Sequence, residues 1–158
     1  MVNERTRPAI AHLAEQGIDY ELIEHEERFT AAAEARASGV EPQDAAKAVV
    51  LRREDRYALA VIPASHRVSL TKASELLGVE EGLRLASEDE IRRDFAQFEV
   101  GAVPPLGDLL AVEQMVDRRL LDHDRVLCSS GDHRHGLRID PNDLVRLANA
   151  LVGDISED

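Results

Sequence analysis

Long apolar runs are absent from this chain. No stretch approaches the roughly 20 apolar residues that a membrane-spanning helix needs, which excludes such a helix, and no membrane is expected as partner. The opening Met1-Val-Asn-Glu-Arg5 lacks the apolar core of a signal peptide. Cysteine occurs once, at Cys128, which excludes an internal disulfide and fits a reducing, cytoplasmic setting. Positive charge is short as well. The formal net charge of -12 argues against a broad nucleic-acid footprint, though not against a local basic site. Neither G-x-x-x-x-G-K-[ST] nor G-x-G-x-x-G occurs, so the usual nucleotide-phosphate loops are unsupported. There is no internal repeat, linker or low-complexity segment.

What is present is a globular composition. The 158 residues are 44% hydrophobic, enough for one domain, 1–158, to bury its own core. Ile10, Leu13 and Ala14 recur at helical spacing over Glu4–Gln16, and Gly17 follows as a stop. Tyr20–Glu24 reads as a strand. Thr30 caps a helix through Ala37, Ser69 caps one through Leu77, and Ser87-Glu-Asp-Glu90 has the form of a capping box opening a helix through about Phe95. Ala45–Arg52 and Tyr57–Ile62 form the best hairpin candidate. Leu83–Ala86, Ala111–Val116, Arg125–Ser129 and Leu137–Ile139 read as further strands, with a helical turn at Arg118–Leu121. Asp140-Pro141 opens a last helix that places Leu144, Leu147, Ala148 and Leu151 on one face. This irregular interleaving predicts an α+β domain with a mixed, mostly antiparallel sheet.

One stretch stands apart. Gly101-Ala-Val-Pro-Pro-Leu-Gly107 packs two glycines and two prolines into seven residues. Proline has no N–H and a fixed φ, so this is neither a helix interior nor a central strand. A stiff loop follows, either a tight crossover or a backbone surface facing a ligand. Lys47 is the second candidate. On a strand it shares a face with Val49 and Leu51, while Ala46, Ala48 and Val50 face the other way. An ammonium set in an apolar strand must meet water, an anion or a carboxylate, or snorkel to solvent. Lys47, Arg52, Arg53, Arg56, His66, Arg67 and Lys72 make a local basic stretch. His123, Cys128, His133 and His135 match no strong zinc spacing, so no metal is expected. Cys128 reads as a buried structural thiol. Ser69, Ser129 and Ser130 lack a nucleophile-elbow context.

Taken in order, Ala46-Lys47-Ala-Val-Val-Leu51, Ala60-Val-Ile-Pro-Ala64, Arg84-Leu-Ala-Ser-Glu88, Gly101–Gly107 and Gly131-Asp-His133 resemble the YbaK/EbsC-like aminoacyl-tRNA deacylases. These are free-standing relatives of the editing domain inserted in bacterial prolyl-tRNA synthetases. The resemblance covers roughly residues 20–150. It implies a barrel-like sheet surrounded by helices, and hydrolysis of the ester of a mischarged tRNA, with alanine or cysteine on tRNA-Pro as the first guess. It implies no cofactor. The acceptor end of the mischarged tRNA is the partner, an aminoacyl-tRNA synthetase is a second candidate partner, and no oligomeric state follows. Lys47 would hold the terminal adenosine. Gly101, Ala102 and Pro105 would present backbone to the aminoacyl group. Tyr20, His25, Gly107, Gly131 and His133 would border the substrate. Many relatives carry Ser where this chain has Pro104. A binding module without turnover, or a binder or hydrolase of a small aminoacyl or nucleotide-like molecule, stands as the alternative.

Overall fold

The computed structural model describes residues 3–158; Met1 and Val2, part of the N-terminal reading and of the expected 1–158 unit, lie outside the described residues. In chain order the elements are α1 (Arg7–Glu15), β1 (Glu21–Glu24), α2 (Ala31–Ala37), β2 (Ala46–Arg53), β3 (Arg56–Pro63), α3 (Leu70–Leu77), β4 (Arg84–Leu85), α4 (Glu88–Asp94), α5 (Gly107–Leu110), β5 (Glu113–Asp117), β6 (Val126–Ser129), β7 (His135–Ile139), α6 (Pro141–Ala148) and β8 (Leu151–Gly153). Short 3₁₀ turns occupy Pro42–Asp44 and Arg118–Asp122.

Capping chemistry sets the helix starts. The side chains of Thr30, Ser69, Ser87 and Asp140 accept the N–H groups of Ala33, Lys72, Glu90 and Asn142, at 3.1, 3.2, 3.1 and 2.9 Å. Each satisfies a donor that the first helical turn would otherwise leave unpaired. Glu90 returns the favour to the Ser87 N–H at 2.8 Å, completing the capping box.

β2 and β3 form the expected hairpin, with Lys47 opposite Ile62 and Arg53 opposite Arg56. The hairpin is the centre of a five-stranded sheet of order β4-β2-β3-β5-β8. A three-stranded sheet of order β1-β7-β6 lies beside it, joined through a parallel bridge between Ala45 and Leu127. β3–β5 and β5–β8 are parallel, and the other pairs are antiparallel. The sheet system is therefore mixed and mostly antiparallel, and it does not close into a barrel.

The period-2 alternation of β2 divides the core. Leu51 packs with Ala60, Ile62, Met115, Ala73 of α3 and Ile155. Val50 packs on the other side with Leu59, Phe95, Phe98 and Val103. Burying each large side chain contributes about 1.5–3 kcal/mol. A third cluster, with Ala46, Val61 and Val116, joins the sheets to α1 and α6 through Leu13 and Leu144.

Two expectations need correcting. The last helix stops at Ala148, because Asn149 takes a left-handed conformation at φ 48°, and Leu151 instead begins β8 beside Met115. Gly107 does not belong to an extended loop but opens the short helix α5, so the strand expected from Ala111 starts two residues later at Glu113.

Candidate active site

Lys47 and Gly101 line one cleft of about 580 Å³. Thr30, Ala31 and Ala32 at the start of α2 form one wall, and Ala48, Val49, Val50, Ala64, Leu85, Ala86, Ile91 and Val103 make the rest largely apolar. Ser129, at the end of β6, adds a hydroxyl-bearing side chain. Burial lowers the Lys47 pKa, and the nearby Arg67 lowers it further. Its ammonium makes no ion pair or hydrogen bond with any of the described residues.

The Gly101 loop is built to expose backbone. The Ala102 N–H donates to the Glu99 carbonyl at 3.0 Å, closing a turn with Gly101 at its third position and φ +84°. A positive φ there is the type II arrangement and favours glycine. The carbonyl of Val100 accepts from Nε2 of His133 at 2.8 Å, which fixes that nitrogen as the protonated one. In a trans peptide the C=O and N–H point oppositely, so the Gly101 N–H is turned away from His133. Among the described residues, the N–H groups of Gly101 and Val103 take part in none of the loop's hydrogen bonds. Both residues line the cleft. Ala102 is fully buried with its N–H committed, and Pro104 and Pro105 have none to give.

The other expected site residues occupy supporting positions. His133 is buried behind Gly101; a Cβ on that glycine would sit 3.4 Å from its ring. The Glu99 carboxylate accepts the His133 N–H at 2.9 Å, and the Phe29 ring lies 5.0 Å from the imidazole. Gly131 receives the N-terminal segment: a Cβ there would lie 2.0 Å from the Arg5 carbonyl oxygen. His25 is buried under α2, its Nδ1 on the Glu26 carbonyl at 2.6 Å and its Nε2 3.4 Å from Glu34. Tyr20 packs on the core around Leu13 and Leu137. The Gly107 N–H donates to Gln114 at 2.7 Å inside the protein. None of these five lines the cleft.

The sequence presents Ser129 only as a serine without a nucleophile context, Thr30 only as a helix cap and Val103 only as part of the Gly101 loop; none of the three is marked there as lining a site. Thr30-Ala-Ala-Ala is a run of small residues after a cap, which is the local signal for a helix start that leaves space beside it. Cys128 is buried, and burial pushes its thiol well above the ordinary range, as suits an inert core residue. Among the described residues no group of three or more His, Cys, Asp or Glu side chains is placed to hold a metal ion, and no helix is long and apolar enough to cross a membrane.

Residues 25–147 match the aminoacyl-tRNA editing domain family. The chain belongs to that family. The match spans Lys47, the Gly101 loop and His133, so the cleft lies inside the editing domain. A crystal structure of a candidate trans-editing enzyme for prolyl-tRNA synthetase superposes with a TM-score of 0.87 at 28% identity, covering 100% of both chains. A scaffold protein used for computational epitope grafting gives 0.85 at 26% identity, covering 99% of each chain. The same fold recurs within a longer candidate signal-transduction protein from Marinobacter aquaeolei VT8, with a TM-score of 0.71 at 19% identity over 94% of this chain and 30% of that one.

Proposed function

We propose that this editing domain is a deacylase that hydrolyses the ester joining a wrong, small amino acid to the 3′-terminal ribose of a tRNA, acting in trans. Alanine or cysteine on tRNA-Pro is the substrate class this reading favours. The observation that carries it is the meeting of Lys47, Gly101 and Val103 in one largely apolar cleft. The likeness to a candidate trans-editing enzyme for prolyl-tRNA synthetase supports the same direction.

An aminoacyl ester is already activated, so positioning and charge stabilisation are sufficient and no triad is needed. In this reading the small side chain of the amino acid enters against Ala31, Ala32 and Val50. The carbonyl faces the loop, and the N–H groups of Gly101 and Val103 stabilise the oxyanion that develops when water attacks. Such donors act without reorganising, because the Glu99–Ala102 turn and the His133 contact already fix the loop. Lys47 pairs with the phosphate of the terminal adenosine. The neighbouring ribose hydroxyl orients the water. Ala102, Pro105, Gly131 and His133 act by holding the loop.

The test is a deacylation panel of several mischarged tRNAs, each also prepared with a 2′-deoxy terminal adenosine, run beside Lys47→Ala. Loss of one charge-assisted contact, about 1.5–3 kcal/mol, corresponds to a fall in kcat/KM of about 10–100-fold. The deoxy substrates should be slow with either protein. No turnover of any mischarged tRNA, or turnover indifferent to Lys47, would sink the proposal.

A further inference from the structure

The basic stretch read in the sequence comes apart in the fold. Arg52 pairs with Glu90 at 3.2 Å and Asp94 at 3.4 Å. Arg53 donates to the Glu81 carbonyl at 2.9 Å. Lys72 is held by Asp154 and Asp158, both at 3.0 Å, and by the Ser156 carbonyl at 2.8 Å. His66 meets the Ser65 hydroxyl at 3.0 Å. Of the stretch, Lys47, Arg56 and Arg67 make no side-chain ion pair or hydrogen bond among the described residues. Arg56 lies at the hairpin end, beside other clefts.

Lys47 and Arg67 instead share a second cleft, also of about 580 Å³. Val49, Ser69, Leu70 and Thr71 line it with them. This cleft adjoins the first: Lys47, Val49 and Leu85 belong to both. Two unneutralised cations facing one concavity repel each other and lower the cost of placing an anion between them. Other arginines, Arg56 among them, also lack partners among the described residues; what distinguishes Lys47 and Arg67 is that they line the same concavity. Leu85, 53% exposed, stands on the shared rim as an apolar surface.

We propose that the second cleft is a groove for the single-stranded RNA segment just upstream of the aminoacylated nucleotide, with Arg67 contacting a backbone phosphate and Lys47 standing at the junction with the ester cleft. This rests on the deacylase reading for its substrate, but not for its measurement. Glu157 also lines the groove, and its N–H donates to the Arg67 carbonyl at 2.8 Å. Its carboxylate faces the incoming phosphates with the wrong sign. The groove therefore contains two cations that attract the strand, Lys47 and Arg67, and one carboxylate that opposes it.

The experiment measures binding of an uncharged, short single-stranded RNA ending in C-C-A by fluorescence anisotropy over a range of salt concentrations. Arg67→Ala should weaken binding several-fold and reduce the salt slope by about 0.7, the share of one single-strand phosphate. Glu157→Gln should strengthen binding. Arg56→Ala, an equally unpaired arginine elsewhere, should leave it unchanged. With aminoacyl-tRNA as substrate, Arg67→Ala should raise KM more than it lowers kcat. Arg67→Ala that binds like the native protein, a loss as large with Arg56→Ala, or weaker binding with Glu157→Gln would each overturn the groove. Displacement of the RNA by adenosine monophosphate at equal phosphate concentration would overturn it too, since the site would then hold a mononucleotide. Failure of every mischarged tRNA with a retained Arg67 effect on RNA binding would remove the deacylase and keep the groove. Turnover with an inert Arg67 would do the reverse.

Discussion

Each cleft is backed by a cluster of charged side chains, and the two clusters are opposites. Behind the ester cleft, α2 carries Glu34 into the interior beside His25, with Asp132 near enough to act on its charge and the His135 ring held by Asp132. Glu34 Oε1, His25 Nε2 and His135 Nε2 are buried there without a hydrogen-bond partner. Beside the proposed RNA groove, Asp117 is also shielded from solvent, but its carboxylate is fully met. Its carboxylate accepts the Arg119 N–H at 2.9 Å, the Ile155 N–H at 3.0 Å and the Ser156 hydroxyl at 2.7 Å. Arg119 continues to Asp154 at 2.8 Å, and Lys72 to Asp154 at 3.0 Å. Burial alone would raise both acids. For Glu34 it prevails, helped by the negative Asp132, and the pKa rises to about 8. For Asp117 the donors outweigh it, and the pKa falls below the usual carboxylate range. Burial and partners together decide which acid is charged: Glu34 has the burial without the donors, and Asp117 has the donors.

The largest break should come from the satisfied side. Asp117→Ala strands the Ile155 and Arg119 N–H groups and leaves the Arg119 guanidinium with Asp154 alone. Breaking such a pair costs about 3–5 kcal/mol, read as a lower urea midpoint and faster exchange of the Ile155 amide. Because the folded pKa of Asp117 is depressed, its contribution is present above the ordinary carboxylate pKa and is lost as pH falls through the folded value. The stability difference between native protein and Asp117→Ala should therefore shrink at low pH. A difference unchanged down to strongly acidic pH would mean that charge plays no part.

On the other side the next largest effect is steric. Gly131 has φ +122°, and a Cβ there meets the Arg5 carbonyl oxygen. Gly131→Ala should cost about 2 kcal/mol and loosen the N-terminal segment, which Asn3 ties to Asp132 at 2.9 Å and Arg5 ties to the Ala96 carbonyl at 2.7 Å. Increased amide exchange confined to α1 and its entry is the expected pattern. Equal loosening around Asp117 would erase the separation of the two regions.

What the sequence made legible follows the range of the interaction. The caps at Thr30, Ser69, Ser87 and Asp140 act over two or three residues, and all are found in place. The hairpin was readable because its turn, Glu54-Asp55, is local. The strand at Leu151 was not, because its spacing from Leu144, Leu147 and Ala148 continues a helical stripe. Only the parallel pairing with β5, more than thirty residues away in sequence, makes it a strand. Lys47 stood out by contrast with its neighbours, but Arg67 did not. Its isolation became visible only once Arg52, Arg53 and Lys72 were seen to be occupied. Ala102 was expected as a donor since the loop's hydrogen bonds cannot be read from composition. Glu34 passed as one polar position in an alanine-rich helix, although Gly136 on β7 covers it so closely that a Cβ would lie 2.9 Å from its carboxyl oxygen.

Glu34 also gives the smallest and most discriminating prediction, because its sign is reversed. With the folded pKa raised from 4.5 to about 8, native and unfolded chains bind the proton equally below the lower value. Between the two values the unfolded chain releases it while the folded chain retains it. This group's contribution to stability therefore declines by at most about 1.4 kcal/mol per pH unit across that window and levels off above it. Glu34→Gln keeps the shape, removes the proton and abolishes that decline. The unpaired second amide N–H costs about 1–3 kcal/mol at every pH, so the variant should be less stable than the native protein by about that amount at the acidic end and more stable by about 1 kcal/mol at neutral pH. Thermal melts of both proteins across the window give the comparison directly. A difference that grows with pH supports a neutral Glu34 seated against His25 beneath α2. A difference that is flat, or a variant that loses stability as pH rises, would mean that Glu34 is ionised in place and that the two clusters are alike after all.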